Sequence, residues 1–285
     1  MSPSGSFERE RLRPGLSYLR NRGFRVRVGS AVYHRDRYLA GTDCDRANDL
    51  NAMFADPAVR AVFAARGGFG AARVLEFLNF EAIRKDPKAL VGFSDTTALQ
   101  LAIYSRTGMV SYSGVTVCGD FTASGMPETT ETSLWNALNL GRFDEMAGVT
   151  ALRGRVAGGR LLGGCLSVVA SLVGTGYMPD TGGALLVLED VNEAPYRVDR
   201  MLTQLRMAGV FERAAGVVFG QFEGCEPERN VEGTVDDVLR EFSTSVAAPV
   251  FCGLPYGHAE GRRVLPIGLR ATVDGSRGTL TIESQ

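Results

Sequence analysis

Imidazole is scarce in this chain. Its 285 residues hold only His34 and His258, so chemistry that needs a base titrating near neutral pH has two candidates. Cysteines are few: Cys44, Cys118, Cys165, Cys225 and Cys252 are odd in number and form no C-x-x-C pair. That pattern supports neither a disulfide framework nor a structural zinc site, and it suits a reducing compartment. No charge sign predominates, since Lys plus Arg total 31 against 32 Asp plus Glu, a formal net charge of -1. There is thus no global basic field to attract nucleic acid or an anionic membrane. No apolar run approaches the ~18 residues of a membrane span, and the polar N-terminus MSPSGSFERERLRPG lacks an apolar signal core. The chain reads as cytoplasmic.

What it does have is 45% hydrophobic residues, enough for real cores in one large domain or two of ordinary size. Its 35 glycines, many at the ends of apolar runs, suit an α/β protein with tight loops. Leu12, Leu16 and Leu19 recur on one side of a helix over Phe7 to Arg22, and Phe24 to Val28 alternates as a strand. An α/β domain normally opens on a strand, whereas here a helix comes first. A helix over Arg46 to Phe54 follows, then strands at Val59 to Ala65, Ala89 to Val91 and Val110 to Val117, with a helix from Ala71 to Leu78 among them. Segment 121–155 has little strand signal and one helix, near Glu131 to Leu138, that carries Trp135. It reads as a linker or lid between a domain over 1–120 and another over 156–285. The second half opens on a glycine loop, Gly158 to Gly164, before a helix over Leu166 to Val173. Beyond it lie a buried-type strand at Leu185 to Leu188, a helix over Arg197 to Ala208, a strand at Gly216 to Phe219 and a polar loop over Phe222 to Thr234. A helix over Val235 to Phe242 and strands at Val250 to Gly253, Arg263 to Ile267 and Thr279 to Glu283 complete the pattern.

Chemistry gathers at strand ends. The strand ending at Ala65 runs into Arg66-Gly67-Gly68-Phe69-Gly70, where the dinucleotide fingerprint fails in both registers, at Phe69 in one and Arg73 in the other. What is left is either a backbone turn that presents N–H donors to a small ligand or simply a tight turn. In DPKALVGFSDTTALQLAI, Ser94 stands between a strand end and a helix start. That is the geometry of a nucleophile elbow, here without the second glycine, or of a plain N-cap. Glu189, Asp190 and Glu193 follow a buried strand, and His258 follows another in a Gly/Pro-rich loop, while His34 reads as a solvated loop histidine. A serine needs an imidazole to take its proton, and the imidazole needs a carboxylate to fix its tautomer, so Ser94, Glu189 and His258 form an allowed set. Chance scatter of these residue types among loops is the competing explanation.

The runs ARGGFGAARVLEFLNF, DPKALVGFSDTTALQLAI, LEDVNEAPYRVDRMLTQLRMAGVF and GHAEGRRVLPIG resemble the LD-carboxypeptidase family of serine peptidases, which includes the microcin C immunity proteins. The likeness covers nearly the whole chain. It implies two α/β domains with the active site in the cleft between them, a Ser94-Glu189-His258 triad, oxyanion donors from the N–H groups of Gly68 and Asp95, and a homodimer. Two departures stand out: the family's opening strand is unaccounted for, and Cys165 replaces a common asparagine, as a reactive thiol or a small buried hydrophobe. The implied activity is cleavage of an amide between an L- and a D-centre, as in trimming D-Ala from murein tetrapeptides during cell-wall recycling. Alternatives are an amidase acting on a peptidyl or aminoacyl nucleotide, with Trp135 or Phe121 stacking on the base, and a catalytically silent small-molecule binder. Arg66 and Arg160 are candidates to hold a substrate carboxylate, against roles as solvated or interdomain charges. No cofactor or metal is expected.

Overall fold

The computed structural model describes residues 1–227, 229 and 233–283. Its first half runs α1 (Arg13–Asn21), α2 (Asp43–Ala55), β1 (Ala61–Phe63), α3 (Phe80–Lys85), β2 (Ala89–Gly92), α4 (Thr97–Thr107), β3 (Ser111–Ser113) and α5 (Val117–Asp120). Then come α6 (Glu128–Leu140), β4 (Met146–Ala147), β5 (Thr150–Arg153), β6 (Val156–Cys165), α7 (Leu166–Leu172), β7 (Ala184–Val191) and α8 (Pro195–Met207). The chain closes with β8 (Gly216–Glu223), α9 (Val235–Ser245), β9 (Val250–Cys252), β10 (Leu265–Ile267), β11 (Arg270–Asp274) and β12 (Thr279–Ile282). Local chemistry explains several starts. Thr42 with Asp45 and Thr234 with Asp237 form reciprocal capping boxes at α2 and α9, satisfying N–H groups that a helix start leaves free.

Two sheets result, of order β1-β2-β3-β10 and β4-β12-β11-β6-β7-β8-β9-β5. Parallel pairing joins β1 to β2 to β3, and β6 to β7 to β8 to β9; the other pairs are antiparallel. Helices cover the parallel strands, so β7 reads as a continuous buried run over Ala184 to Asp190. One apolar core is continuous from Leu50, Leu90, Phe93 and Leu99 in the first half to Leu185, Phe219 and Phe251 in the second. This is the mixed α/β, two-sheet architecture expected from the sequence.

Several elements differ from the sequence reading. Phe24 to Val28 has no regular structure and pairs with no strand among the described residues; Val26 and Val28 pack on a second apolar cluster, which satisfies their alternation without a ladder. The run from Ala71 to Phe77 is a 3-10 helix. Gly158 to Gly164 is no loop but the body of β6, where glycine permits close strand approach: a Cβ at Gly163 would lie 2.0 Å from the Val187 carbonyl oxygen. Segment 121–155 holds β4 and β5, which pair with β12 and β9 at the two edges of the larger sheet, while α6 packs Leu134 and Trp135 into the second cluster. The strand after Arg263 crosses back into the first sheet as β10, antiparallel to β3. Residues 228 and 230–232, within the polar loop expected over Phe222 to Thr234, lie outside those described.

Among the described residues no strand lies beyond β1. Met1 occupies part of that edge, its amino group donating to Phe63 O at 3.1 Å and its carbonyl accepting from Ala65 N–H at 2.8 Å. Alongside runs a groove of about 910 Å³ lined by Leu12, Leu19, Val26, Val28, Phe63 and Trp135, among others. No helix among the described residues is long and apolar enough to cross a membrane.

Candidate active site

Ser94 is delivered by β2, whose Leu90, Val91 and Gly92 are buried. It adopts φ +63°, a left-handed conformation that costs a serine energy and persists because the surroundings impose it. A tight 3-10 turn over Ser94–Thr96, in which Thr96 Oγ1 donates to Phe93 O at 3.0 Å, leads directly into α4. This is the strand–turn–helix context of a nucleophile elbow. Gly67 approaches so closely that a Cβ there would lie 3.0 Å from Ser94 Cβ and 3.1 Å from its hydroxyl oxygen. The next residue, Gly68, has φ +110°, and no protein acceptor takes its N–H among the described residues.

Asp95 ties these two turns together. Its carboxylate accepts from Ala71 N–H at 2.8 Å, just past the glycine turn, and burial raises its pKa against the opposing pull of the Ser4 hydroxyl and of this backbone bond. Arg46, fully buried, donates to Gly70 O at 2.8 Å from the other side and also bonds Pro3 O and Asp43. The turn carrying Gly68 is therefore braced at the Gly70–Ala71 peptide, through its carbonyl and its N–H.

Glu189 is wholly buried at the end of β7, and its Oε2 lies 2.7 Å from His258 Nδ1. A carboxylate can only accept, so the Nδ1 proton points at Glu189 and Nε2 faces away from it. Burial raises the pKa of Glu189, with the His258 hydrogen bond pulling the other way. The His258 ring packs against Phe93, centroids 4.5 Å apart, and Phe93 is the residue before Ser94. The fold thus brings Glu189 and His258 together and sets the imidazole beside the residue that precedes Ser94. Of the neighbouring carboxylates, Asp190 accepts from Ser167 N–H at 2.8 Å and Val191 N–H at 2.9 Å, capping α7, while Glu193 faces Arg197 at 3.6 Å.

The remaining candidates disperse. Arg66 stays at the glycine turn, its Nη1 donating to Ser6 O at 2.9 Å, and lines a depression of about 500 Å³ with Gly5, Ser6, Tyr38, Gly68 and Phe69. Arg160 is not in a cleft loop: it is an exposed position of β6, paired with Ala184 where Cys165 pairs with Glu189. Five strand residues separate it from the triad end, about 16 Å. Trp135 is 9% exposed; its Nε1 donates to Tyr18 Oη at 2.8 Å and its ring stacks on Phe24 at 5.4 Å, while Phe121 is buried against Tyr18. Both belong to the second apolar cluster. His34 is exposed, 3.6 Å from Asp45. Cys165 is buried beside Asp190, and burial together with the Asp190 and Glu189 charges holds its thiol protonated. Sequence reasoning overlooked Asp120 and Arg262, which join the His258 loop to the end of α5; the first arginine of GHAEGRRV was not in itself a signal.

Known proteins resemble this chain over its whole length. Residues 1–114 match the LD-carboxypeptidase N-terminal domain and residues 158–273 the LD-carboxypeptidase C-terminal domain. A probable murein peptide carboxypeptidase of Bacillus subtilis is 35% identical over 288 residues, spanning 100% of this chain and 90% of its own length. The crystal structure of a muramoyltetrapeptide carboxypeptidase from Oxalobacter formigenes superposes with a TM-score of 0.90 at 29% identity, over 99% of this chain and 96% of that one. The microcin C7 self-immunity protein MccF of Escherichia coli is 25% identical over 317 residues, covering 100% of this chain and 91% of its own length. With two matched domains, full-length relatives and a shared fold, this chain belongs to the LD-carboxypeptidase family.

Proposed function

We propose that the chain is a serine carboxypeptidase that hydrolyses an amide bond between an L- and a D-centre, removing the terminal D-Ala of a murein tetrapeptide. The observation that carries the reading is the Glu189–His258 contact of 2.7 Å set against Phe93, one residue before a left-handed Ser94. His258 Nε2 takes the proton of Ser94 as its oxygen attacks the scissile carbonyl, and Glu189 stabilises the imidazolium. The oxyanion is held by the N–H groups of Gly68 and Asp95. Collapse expels the D-amino acid, whose amine takes the proton from His258, and leaves an ester on Ser94. Water, activated by the same imidazole, then hydrolyses that ester and restores the serine. Arg66 binds the free carboxylate of the departing residue. The reading extends to a cytoplasmic homodimer active in cell-wall recycling, supported by the family resemblance.

The test pairs a serine-directed phosphonate, read as a mass increase on Ser94, with D-Ala release from a murein tetrapeptide. Adduct plus D-Ala supports the reading. Nucleotide release from an aminoacyl nucleotide without D-Ala release would move the substrate to that of an immunity-type amidase, and no adduct would leave a silent binder.

A further inference from the structure

We propose that Arg262 is a positioning residue, which holds His258 against the Ser94 turn by pinning the loop between β9 and β10 to the first domain; this rests on the triad reading above. The loop has no regular structure of its own, so its histidine is only as well placed as the loop is held. The Arg262 guanidinium, with a side chain 13% exposed, donates through Nε to Gly114 O at 2.5 Å and through Nη1 to Ala259 O at 3.3 Å, and Nη2 pairs with Asp120, whose side chain is 7% exposed. One side chain thereby joins the residue after His258, the exit of β3 and the end of α5. Its Cζ also stands 4.8 Å from the centroid of Phe93, the ring that packs on the imidazole. Arg262 thus touches the serine turn and the histidine loop at once.

The helix α6 fastens the same stretch. Thr130 Oγ1 donates to Arg262 O at 2.8 Å, Thr129 Oγ1 to Gly261 O at 3.3 Å, and Ser133 Oγ accepts from Val264 N–H at 2.9 Å. A buried ion pair is a poor source of net stability, because desolvating both charges offsets their attraction. It is a good source of geometry. The planar fork of arginine reaches three acceptors in fixed directions, which the single ammonium of lysine cannot do.

The experiment compares the unaltered protein with Arg262→Met, Arg262→Lys and Asp120→Asn, measuring the rate of Ser94 phosphonylation, kcat and KM for D-Ala release, and near-UV circular dichroism. Arg262→Met is expected to slow phosphonylation and kcat together by roughly 100-fold with KM within about 3-fold, since misplacing a catalytic group by about 1 Å costs a factor of that order. Arg262→Lys should recover part of the loss. If Arg262→Met does not fold, Asp120→Asn, which keeps the volume and frees the fork on one side, should still slow phosphonylation about 10-fold. Folded variants labelled within about 2-fold of the unaltered rate, or a loss confined to KM, would overturn the proposal. Absence of any labelling in the unaltered protein would sink the serine peptidase reading first and this one with it.

Discussion

Asp95 accepts a hydrogen bond from Ala71 across 2.8 Å, so the residue proposed to donate one oxyanion N–H also fixes the turn that presents the other. Asp95→Ala should leave a buried N–H unpaired, costing about 1–3 kcal/mol of stability. It should also lower kcat more than Asp95→Asn, which keeps an acceptor. The charge has its own signature. Burial holds the native pKa of Asp95 above its ordinary 3.8, so the native state binds more protons than the unfolded one in that window. Stability from this group is therefore full below pH 3.8 and declines as pH rises through the raised native value. Thermal unfolding of Asp95→Asn against the unaltered protein should show a Tm difference that moves in favour of Asn between pH 3.5 and pH 7, taken as about those values. A difference that moves the opposite way would contradict the burial argument.

Ser94 carries both a hydroxyl and a strained backbone, and two substitutions separate them. Ser94→Ala should lower kcat by about 10⁴-fold or more and leave the fold intact. Ser94→Gly should be equally inactive but more stable than Ser94→Ala by about 1 kcal/mol or more, because glycine adopts φ +63° freely. Equal melting temperatures for the two variants would show that the turn is not strained.

Among the three carboxylates at and just beyond the end of β7, only Glu189 reaches the imidazole among the described contacts. Glu189→Gln should therefore cost the most in kcat, while Asp190→Asn should chiefly lower the melting temperature by weakening the start of α7. Glu193→Gln should do little to either. Steady-state kinetics and melting curves on the three variants decide the ranking.

Arg66 and Arg160 make a matched pair of tests. Arg66→Ala should raise KM roughly 10- to 100-fold, about 1.5 to 3 kcal/mol, for a substrate with a free carboxylate and much less for its amide. Arg160→Ala, on an exposed position of β6, should change neither. Equal penalties on acid and amide for Arg66→Ala would assign it to the turn alone.

The sequence located strand ends more reliably than it located the partners around them. The positions of Ser94, Glu189 and His258 at or just past strands β2, β7 and β9 were legible because each lies at or beyond the end of a short apolar run. Arg160 was misplaced because glycine is a loop signal locally, whereas in β6 it answers a nonlocal demand, the approach of β7 within 2.0 Å of where a Gly163 Cβ would stand. Phe24 to Val28 shows the converse, since alternation is visible in a sequence and the presence of a ladder partner is not. Asp120 and Arg262 meet across 142 positions, beyond the reach of any local pattern.

The return of β10 to the first sheet bears on how the molecule moves. Leu265, Pro266 and Ile267 pair with Ser113, Tyr112 and Ser111, and immediately afterwards Gly268 N–H donates to Leu161 O and Leu161 N–H to Leu269 O, each at 2.7 Å. Within five residues the chain is bonded first to one sheet and then to the other. Swinging the two halves apart as rigid bodies would tear one set of these bonds, and the continuous apolar core would split with them. The crease beside Glu189 and His258 acts as a weld and not a hinge, so a small ligand reaching it must be admitted by side chains and loops at its rim.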